Sequence, residues 1–234
     1  ESVVSDPGPG NSLILWLDAE LQKKIEAELS SIMAKVGSQK AAAVALDPRT
    51  GGVLALVSLP SFDNNLFSKG KDPKSIAELL NDPKEPLFNR AISGTYPTGS
   101  TIKPLIATAA LEEKLISPEK RIFAPGYILV PNPWNPENPT KFLDWKAHGW
   151  VDMRKAIAVS ANVYFYTIGG GYEDQEGLGP GRIKKYLGLF GWGEKTRIDL
   201  PGEKNGLIPD PLWKKNYFSE WSEQIWRDGD TYNL

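Results

Sequence analysis

Tyr96-Pro97-Thr98-Gly99-Ser100-Thr101-Ile102-Lys103-Pro104 is the stretch on which the reading of this chain turns. Thr98 and Gly99 are residues that start helices. Pro104 is tolerated only close to a first helical turn, where an amide hydrogen has no partner to lose. The pattern therefore predicts a helix from Ser100 to Leu115 with Ser100 at its N-terminus. Lys103 follows three residues later on the same face, with Cβ atoms about 5–6 Å apart. A serine hydroxyl is a poor nucleophile until a base takes its proton. A lysine beside it can be that base if burial and neighbouring positive potential lower its pKa. The helix N-terminus adds such potential, and unpaired N–H groups for a developing oxyanion. The same spacing also fits a capping serine followed by a solvated lysine, so by itself it leaves both readings open.

A second element lies downstream, Ser160-Ala161-Asn162, between helical signals at 151–158 and 162–169. In an extended turn, residues two apart point to the same side. Ser160 would then offer a hydroxyl to relay a proton, and Asn162 an amide to hold a substrate carbonyl. The alternative is a helix–helix turn in which Asn162 caps the next helix. Tyr164, Phe165 and Tyr166 suit a core better than a ligand-stacking face.

Outward from these elements the chain shows mixed character. Residues 1–11 are polar and carry Pro7-Gly8-Pro9-Gly10, a linker composition. Ser12 to Leu17 is short and apolar and predicts a strand, and Asp18 is placed to cap the helix after it. Leu21, Ile25, Leu29 and Ile32 give that helix one face to bury. Ala41–Leu46 and Val53–Leu59 flank Asp47-Pro48-Arg49-Thr50-Gly51-Gly52, which predicts a β-hairpin. Residues 60–88 read as loop with a short helix near Ser75–Leu80. The stretch 124–150 holds Pro125, Pro131, Pro133, Pro136 and Pro139 and predicts a long irregular excursion. Gly169-Gly170-Gly171 ends one helix, and Arg182 to Phe190 forms another. The tail carries Trp213, Trp221 and Trp226. A strand hairpin followed mostly by helices predicts an α+β fold.

Composition removes several function classes. The chain has 234 residues, 41% hydrophobic and 24% charged, which is enough to bury a core. Its 27 basic and 29 acidic residues leave a net charge of −2, with no basic run to follow a phosphate backbone, so nucleic acid is not expected as a partner. There are no cysteines, which excludes disulfides, thiolate metal sites and a cysteine nucleophile. The single histidine, His148, cannot build a His-based zinc cluster. It sits in the proline-rich stretch, where a loop role is expected of it. No apolar run reaches the ~18–20 residues that span a bilayer.

Ser-x-x-Lys paired with a downstream Ser-x-Asn is the signature of penicillin-binding proteins and class A β-lactamases. The chain resembles the transpeptidase domain of class B penicillin-binding proteins, most of all the elongation type, penicillin-binding protein 2. The resemblance runs through Leu15-Trp16-Leu17-Asp18-Ala19-Glu20-Leu21-Gln22, through the hairpin from Ala45 to Leu56, and through Pro60-Ser61-Phe62-Asp63-Asn64-Asn65 and Asn89-Arg90-Ala91. It continues in Tyr96-Pro97-Thr98-Gly99-Ser100, Asp144-Trp145-Lys146 and Ser160-Ala161-Asn162-Val163-Tyr164-Phe165-Tyr166. It implies a β-lactamase/transpeptidase-like fold, an antiparallel sheet flanked by helices with a mainly helical subdomain. It implies a D,D-transpeptidase acting outside the cytoplasmic membrane and anchored by an upstream segment. Ser100 would attack the D-Ala-D-Ala carbonyl of a peptidoglycan stem peptide with Lys103 as base. Ser160 would relay protons, Asn162 would bind the donor peptide, and β-lactams would acylate Ser100. No metal or organic cofactor is implied. The partner implied is a membrane glycosyltransferase of the elongation machinery.

The family also uses a third motif, Lys-Thr-Gly or Lys-Ser-Gly, that is not present here. Lys204-Asn205-Gly206 lies in a segment the family carries earlier and reads as a surface turn. The expectation is therefore a linker over 1–11 and an incomplete transpeptidase domain over 12–234, lacking its last strands and not turning over peptide by itself. Two other readings compete. A β-lactamase would need a water-activating carboxylate, and a non-catalytic β-lactam sensor or degenerate module would need no turnover at all.

Overall fold

The computed structural model describes residues 10–68, 73–132, 135 and 137–217. The chain forms two compact units, residues 1–94 with 200–204, and residues 95–199 with 205–234.

In the first unit, helix α1 (Ala19–Val36) starts on Asp18, whose Oδ1 accepts the N–H groups of Glu20 and Leu21, both at 3.0 Å. It ends at Gly37, whose left-handed backbone (φ 71°) turns its N–H back to the Met33 carbonyl. Strands β1 (Ala41–Leu46) and β2 (Val53–Leu59) form the expected antiparallel hairpin, with Ala41 opposite Leu59 and Ala45 opposite Ala55. Period-two alternation buries Ala55, Val57 and Leu59 on one face of β2. Gln22 bonds β2 as another strand would. Its Nε2 donates to the Leu56 carbonyl at 2.9 Å and its Oε1 accepts the Leu56 N–H at 2.8 Å. Helices α2 (Asn65–Ser68), α3 (Pro73–Leu80) and α4 (Arg90–Ser93) follow.

Two expectations are corrected here. Ser12–Leu17 is not a strand, and Leu13 and Ile14 are 85% and 99% exposed. Short apolar runs make strands only where a neighbour takes their hydrogen bonds, and among the described residues none does. Ile32 shares the helical face of Leu21, Ile25 and Leu29 but is 52% exposed. It lies ten residues, about 15 Å, along the axis from Gln22, where α1 is tied to β2.

In the second unit, a 3-10 turn (Gly99–Ile102) leads directly into α5 (Lys103–Glu112). The helix expected over 100–115 therefore starts tighter and stops sooner. It stops because Lys114 adopts φ 55° and the Leu115 N–H folds back to the Ala110 carbonyl. The stretch expected to be irregular holds two antiparallel ribbons. One pairs β3 (Ile122–Ala124) with β6 (Gly149–Val151), and the other pairs β4 (Tyr127–Val130) with β5 (Thr140–Leu143). Pro131 and Pro139 flank the second ribbon rather than interrupt it, as a residue without an N–H must. Helices α6 (Met153–Ala158), α7 (Asn162–Gly170), α8 (Gly179–Leu189) and α9 (Pro211–Tyr217) complete this unit.

Its core forms where α5, α7 and α8 meet, through Ile106, Ala109 and Ala110, then Tyr164, Phe165 and Ile168, then Ile183 and Leu187. Helix α7 is apolar on all sides and is accordingly enclosed. Trp213 lies in α9, while Trp221 and Trp226 fall outside the described residues. The α+β class holds.

Candidate active site

Ser100 and Lys103 are placed by the 3-10 turn. At three residues per turn, side chains at i and i+3 eclipse, so this tighter winding stacks the two on one line more closely than an α-helix would. Gly99, at φ 55°, makes the sharp bend into the turn, a conformation that costs a β-carbon-bearing residue energy. The Lys103 N–H closes the turn on the Ser100 carbonyl. Ser100 is exposed, whereas Lys103 is 5% exposed.

Across from it, α6 ends at Ala158, with Val159 as its C-cap, and α7 begins at Asn162. The turn between them is tight, with the Ala161 N–H reaching the Ala156 carbonyl at 2.9 Å. Ser160 adopts φ 53°, a left-handed conformation rare for a residue with a β-carbon. This brings Ser160 and Asn162 to the same cation. Lys103 Nζ donates to the Ser160 carbonyl at 2.9 Å, to Ser160 Oγ at 3.0 Å and to Asn162 Oδ1 at 2.6 Å. It also lies 5.4 Å from the centre of the Phe165 ring.

Three acceptors match the three hydrogens of an ammonium group. Burial nevertheless pulls the Lys103 pKa below its ordinary value of 10.5, and the negative charge of Asp144 works against that pull. Asn162 does not cap α7. The cap position belongs to Ala161, which has no side-chain hydrogen bond to give, and the Val163 N–H goes instead to Asp144 Oδ2 at 2.9 Å. The structure thus brings Lys103, Ser160 and Asn162 into direct contact and sets Ser100 one tight turn ahead of Lys103.

A family model of the penicillin binding protein transpeptidase domain matches residues 41–224. The chain belongs to that family. Its transpeptidase fold is shared with solved relatives. The chain is 36% identical to Pseudomonas aeruginosa PBP2, solved in complex with WCK 5153, with a TM-score of 0.76 over 95% of this chain and 46% of that one. It is 33% identical to Helicobacter pylori PBP2, solved in complex with MreC, with a TM-score of 0.73 over 92% of this chain and 36% of that one. Among curated proteins, it is 39% identical over 227 residues to the peptidoglycan D,D-transpeptidase MrdA of Escherichia coli K12, covering 96% of this chain. The chain spans 32% of that protein's length, about a third of the curated relatives it matches.

Within this transpeptidase fold, Lys204-Asn205-Gly206 is exposed chain outside any strand, just after a turn at Pro201–Gly202. His148 lies in the segment between β5 and β6. Its ring is buried against Trp145, with centroids 5.1 Å apart, and its Nε2 is 3.5 Å from Asp144 Oδ1. Asp144 is the site residue that sequence reasoning left without a role. Asp144-Trp145-Lys146 carried part of the family resemblance, yet no local rule links a loop aspartate to a helix start 19 residues downstream.

Proposed function

We propose that this chain carries the acylating residues of a peptidoglycan D,D-transpeptidase, with Ser100 as nucleophile and Lys103 as its base. The observation that carries the reading is the set of partners around Lys103 Nζ. When the ammonium loses a proton, two N–H hydrogens remain. The Ser160 carbonyl and Asn162 Oδ1 can only accept, so they keep those two hydrogens. The lone pair then turns to the one partner that can itself donate, the Ser160 hydroxyl. The Ser100 hydroxyl then displaces that of Ser160 at the lone pair, and Lys103 takes the Ser100 proton as Ser100 Oγ bonds to the penultimate D-alanine carbonyl carbon. The tetrahedral oxyanion finds N–H groups at the start of the 3-10 turn. Collapse breaks the peptide bond, and Ser160 passes the proton from Lys103 to the departing D-alanine amine. An amine on a neighbouring stem peptide then attacks the Ser100 ester and gives a proton to Lys103, and collapse breaks the ester C–O bond as that proton returns to Ser100 Oγ. Asn162 keeps its Nδ2 for the donor peptide carbonyl while its Oδ1 holds Lys103.

The family membership and the relation to MrdA support a stem-peptide substrate, and β-lactams follow as mimics of that substrate. The protein works on the outer side of the cytoplasmic membrane, held by an anchor outside these residues. No helix among the described residues is long and apolar enough to cross a membrane. A membrane glycosyltransferase is its synthetic partner, and the complex of the H. pylori relative with MreC supports a second protein partner.

The test is intact-mass and peptide-mapping analysis of the full-length gene product after benzylpenicillin treatment. A long-lived adduct on the Ser100 peptide, lost in Ser100→Ala, is the expected result. An adduct that hydrolyses rapidly would assign the site to a β-lactamase. No adduct, or one elsewhere, would overturn the reading.

A further inference from the structure

The segment after β5 grips the Ser160–Asn162 turn from both ends. Before the turn, Trp145 Nε1 donates to the Val159 carbonyl at 3.2 Å. Behind it, the Val163 N–H donates to Asp144 Oδ2 at 2.9 Å, supplying the cap that Ala161 cannot. The other carboxylate oxygen, Oδ1, accepts the Trp145 N–H at 2.8 Å, which fixes the group's orientation. The Asp144 side chain is 0% exposed. A carboxylate so enclosed needs positive charge nearby as well as N–H donors. Three groups face it. Lys103 of α5, bound to Asn162 Oδ1 at 2.6 Å one residue before the capped Val163, is the cation that feels its charge. His148 approaches to 3.5 Å from its own loop without making a hydrogen bond. Tyr166 of α7 donates its hydroxyl to the Leu143 carbonyl at 3.2 Å, and its phenol is pushed up by burial first and by Asp144 second. Around Lys103 the other partners, Ser160, Asn162 and Phe165, are neutral, so Asp144 supplies the charge it feels.

We propose that Asp144 is a positioning residue of this site, whose carboxylate fixes the Ser160–Asn162 turn through the start of α7 and supplies the counter-charge for Lys103. The proposal rests on Lys103 being the base for Ser100. The two roles separate in kinetics. Turn geometry sets how fast acylation runs once Lys103 is neutral, and the charge sets the pH at which it becomes neutral.

The experiment follows benzylpenicillin acylation against pH in the full-length gene product, alongside the titration of Lys103 by NMR of 13Cε-labelled lysine. Asp144→Asn keeps an amide oxygen for one N–H but removes the charge. Its acylation plateau is expected to fall roughly tenfold through lost orientation. The acid limb and the Lys103 midpoint are both expected to move down together, because an attraction that held the proton on Lys103 is gone. An Asp144→Asn variant with lowered melting temperature but an unmoved Lys103 midpoint would reduce Asp144 to a structural cap and overturn the proposal. If Asp144→Asn does not fold, Asp144→Glu carries the test. It displaces the carboxylate but keeps the charge, so the plateau should fall while the midpoint stays, and the reverse pattern would overturn the proposal. The NMR midpoint is read whether or not Ser100 reacts. A wild-type protein without a Ser100 adduct but with the midpoint shift would therefore sink the proposed reaction and leave the role of Asp144 standing.

Discussion

Two buried cations, Arg90 and Lys103, solve the same physical problem in opposite ways. Arg90 is 4% exposed at the start of α4, and its guanidinium donates to the carbonyls of Lys84 at 2.6 Å, Glu85 at 2.8 Å and Phe88 at 3.2 Å. Glu85 adds an ion pair at 3.5 Å. Several donors in a planar fork suit a loop that offers carbonyls from several directions, and a guanidinium does not give up its proton. Arg90 therefore holds the backbone over 84–88 in place. Lys103, 5% exposed, meets one carbonyl and two side chains. Burial lowers its pKa, so its proton is available for transfer. Satisfying a buried charge with main-chain carbonyls and a guanidinium gives a fixed clamp. Satisfying it with a lysine beside a hydroxyl gives a group that can change state.

The contrast is most vulnerable at Lys103. Lys103→Arg retains a cation that can donate to the same acceptors but cannot become neutral. Benzylpenicillin acylation of Ser100 should fall by about 10³-fold, the scale of a lost general base. A Lys103→Arg variant that acylates near the wild-type rate would show that deprotonation is not what Lys103 contributes. A smaller effect, and one of another kind, is expected at Arg90. Arg90→Met strips donors from the carbonyls of Lys84, Glu85 and Phe88 and should cost about 2–3 kcal/mol in urea unfolding. The acylation rate of the folded protein should stay unchanged, since no step of the reaction uses Arg90. A matching loss of acylation would break the division between clamp and base.

The sequence foretold these two cations unequally. Lys103 was legible because its relation to Ser100 is local, one turn of chain, and Ser160 and Asn162 sit within three residues of each other. The hairpin was legible for the same reason, with alternation on both sides of a dense turn. What escaped depends on contacts between distant segments. The ribbon strands are three or four residues long, too short for alternation to register, and the prolines around them hid the pairing. Asp144 caps α7 from another element, so the usual sign of a cap, a short polar residue just before the helix, pointed to Asn162 instead. Ser12–Leu17 failed from the opposite side: its apolar pattern was present, but strand status depends on a neighbour. Ile32 likewise has the right helical phase and no cover.

The pH dependence of Ser100 acylation in the wild-type protein tests the central claim most directly. Acylation needs neutral Lys103, so the rate should rise with pH through a single ionisation. Burial destabilises the ammonium, so that ionisation should lie below the ordinary lysine value of 10.5. The rising limb should disappear in Lys103→Arg. A limb centred at the ordinary lysine value, or one that survives in Lys103→Arg, would contradict the account.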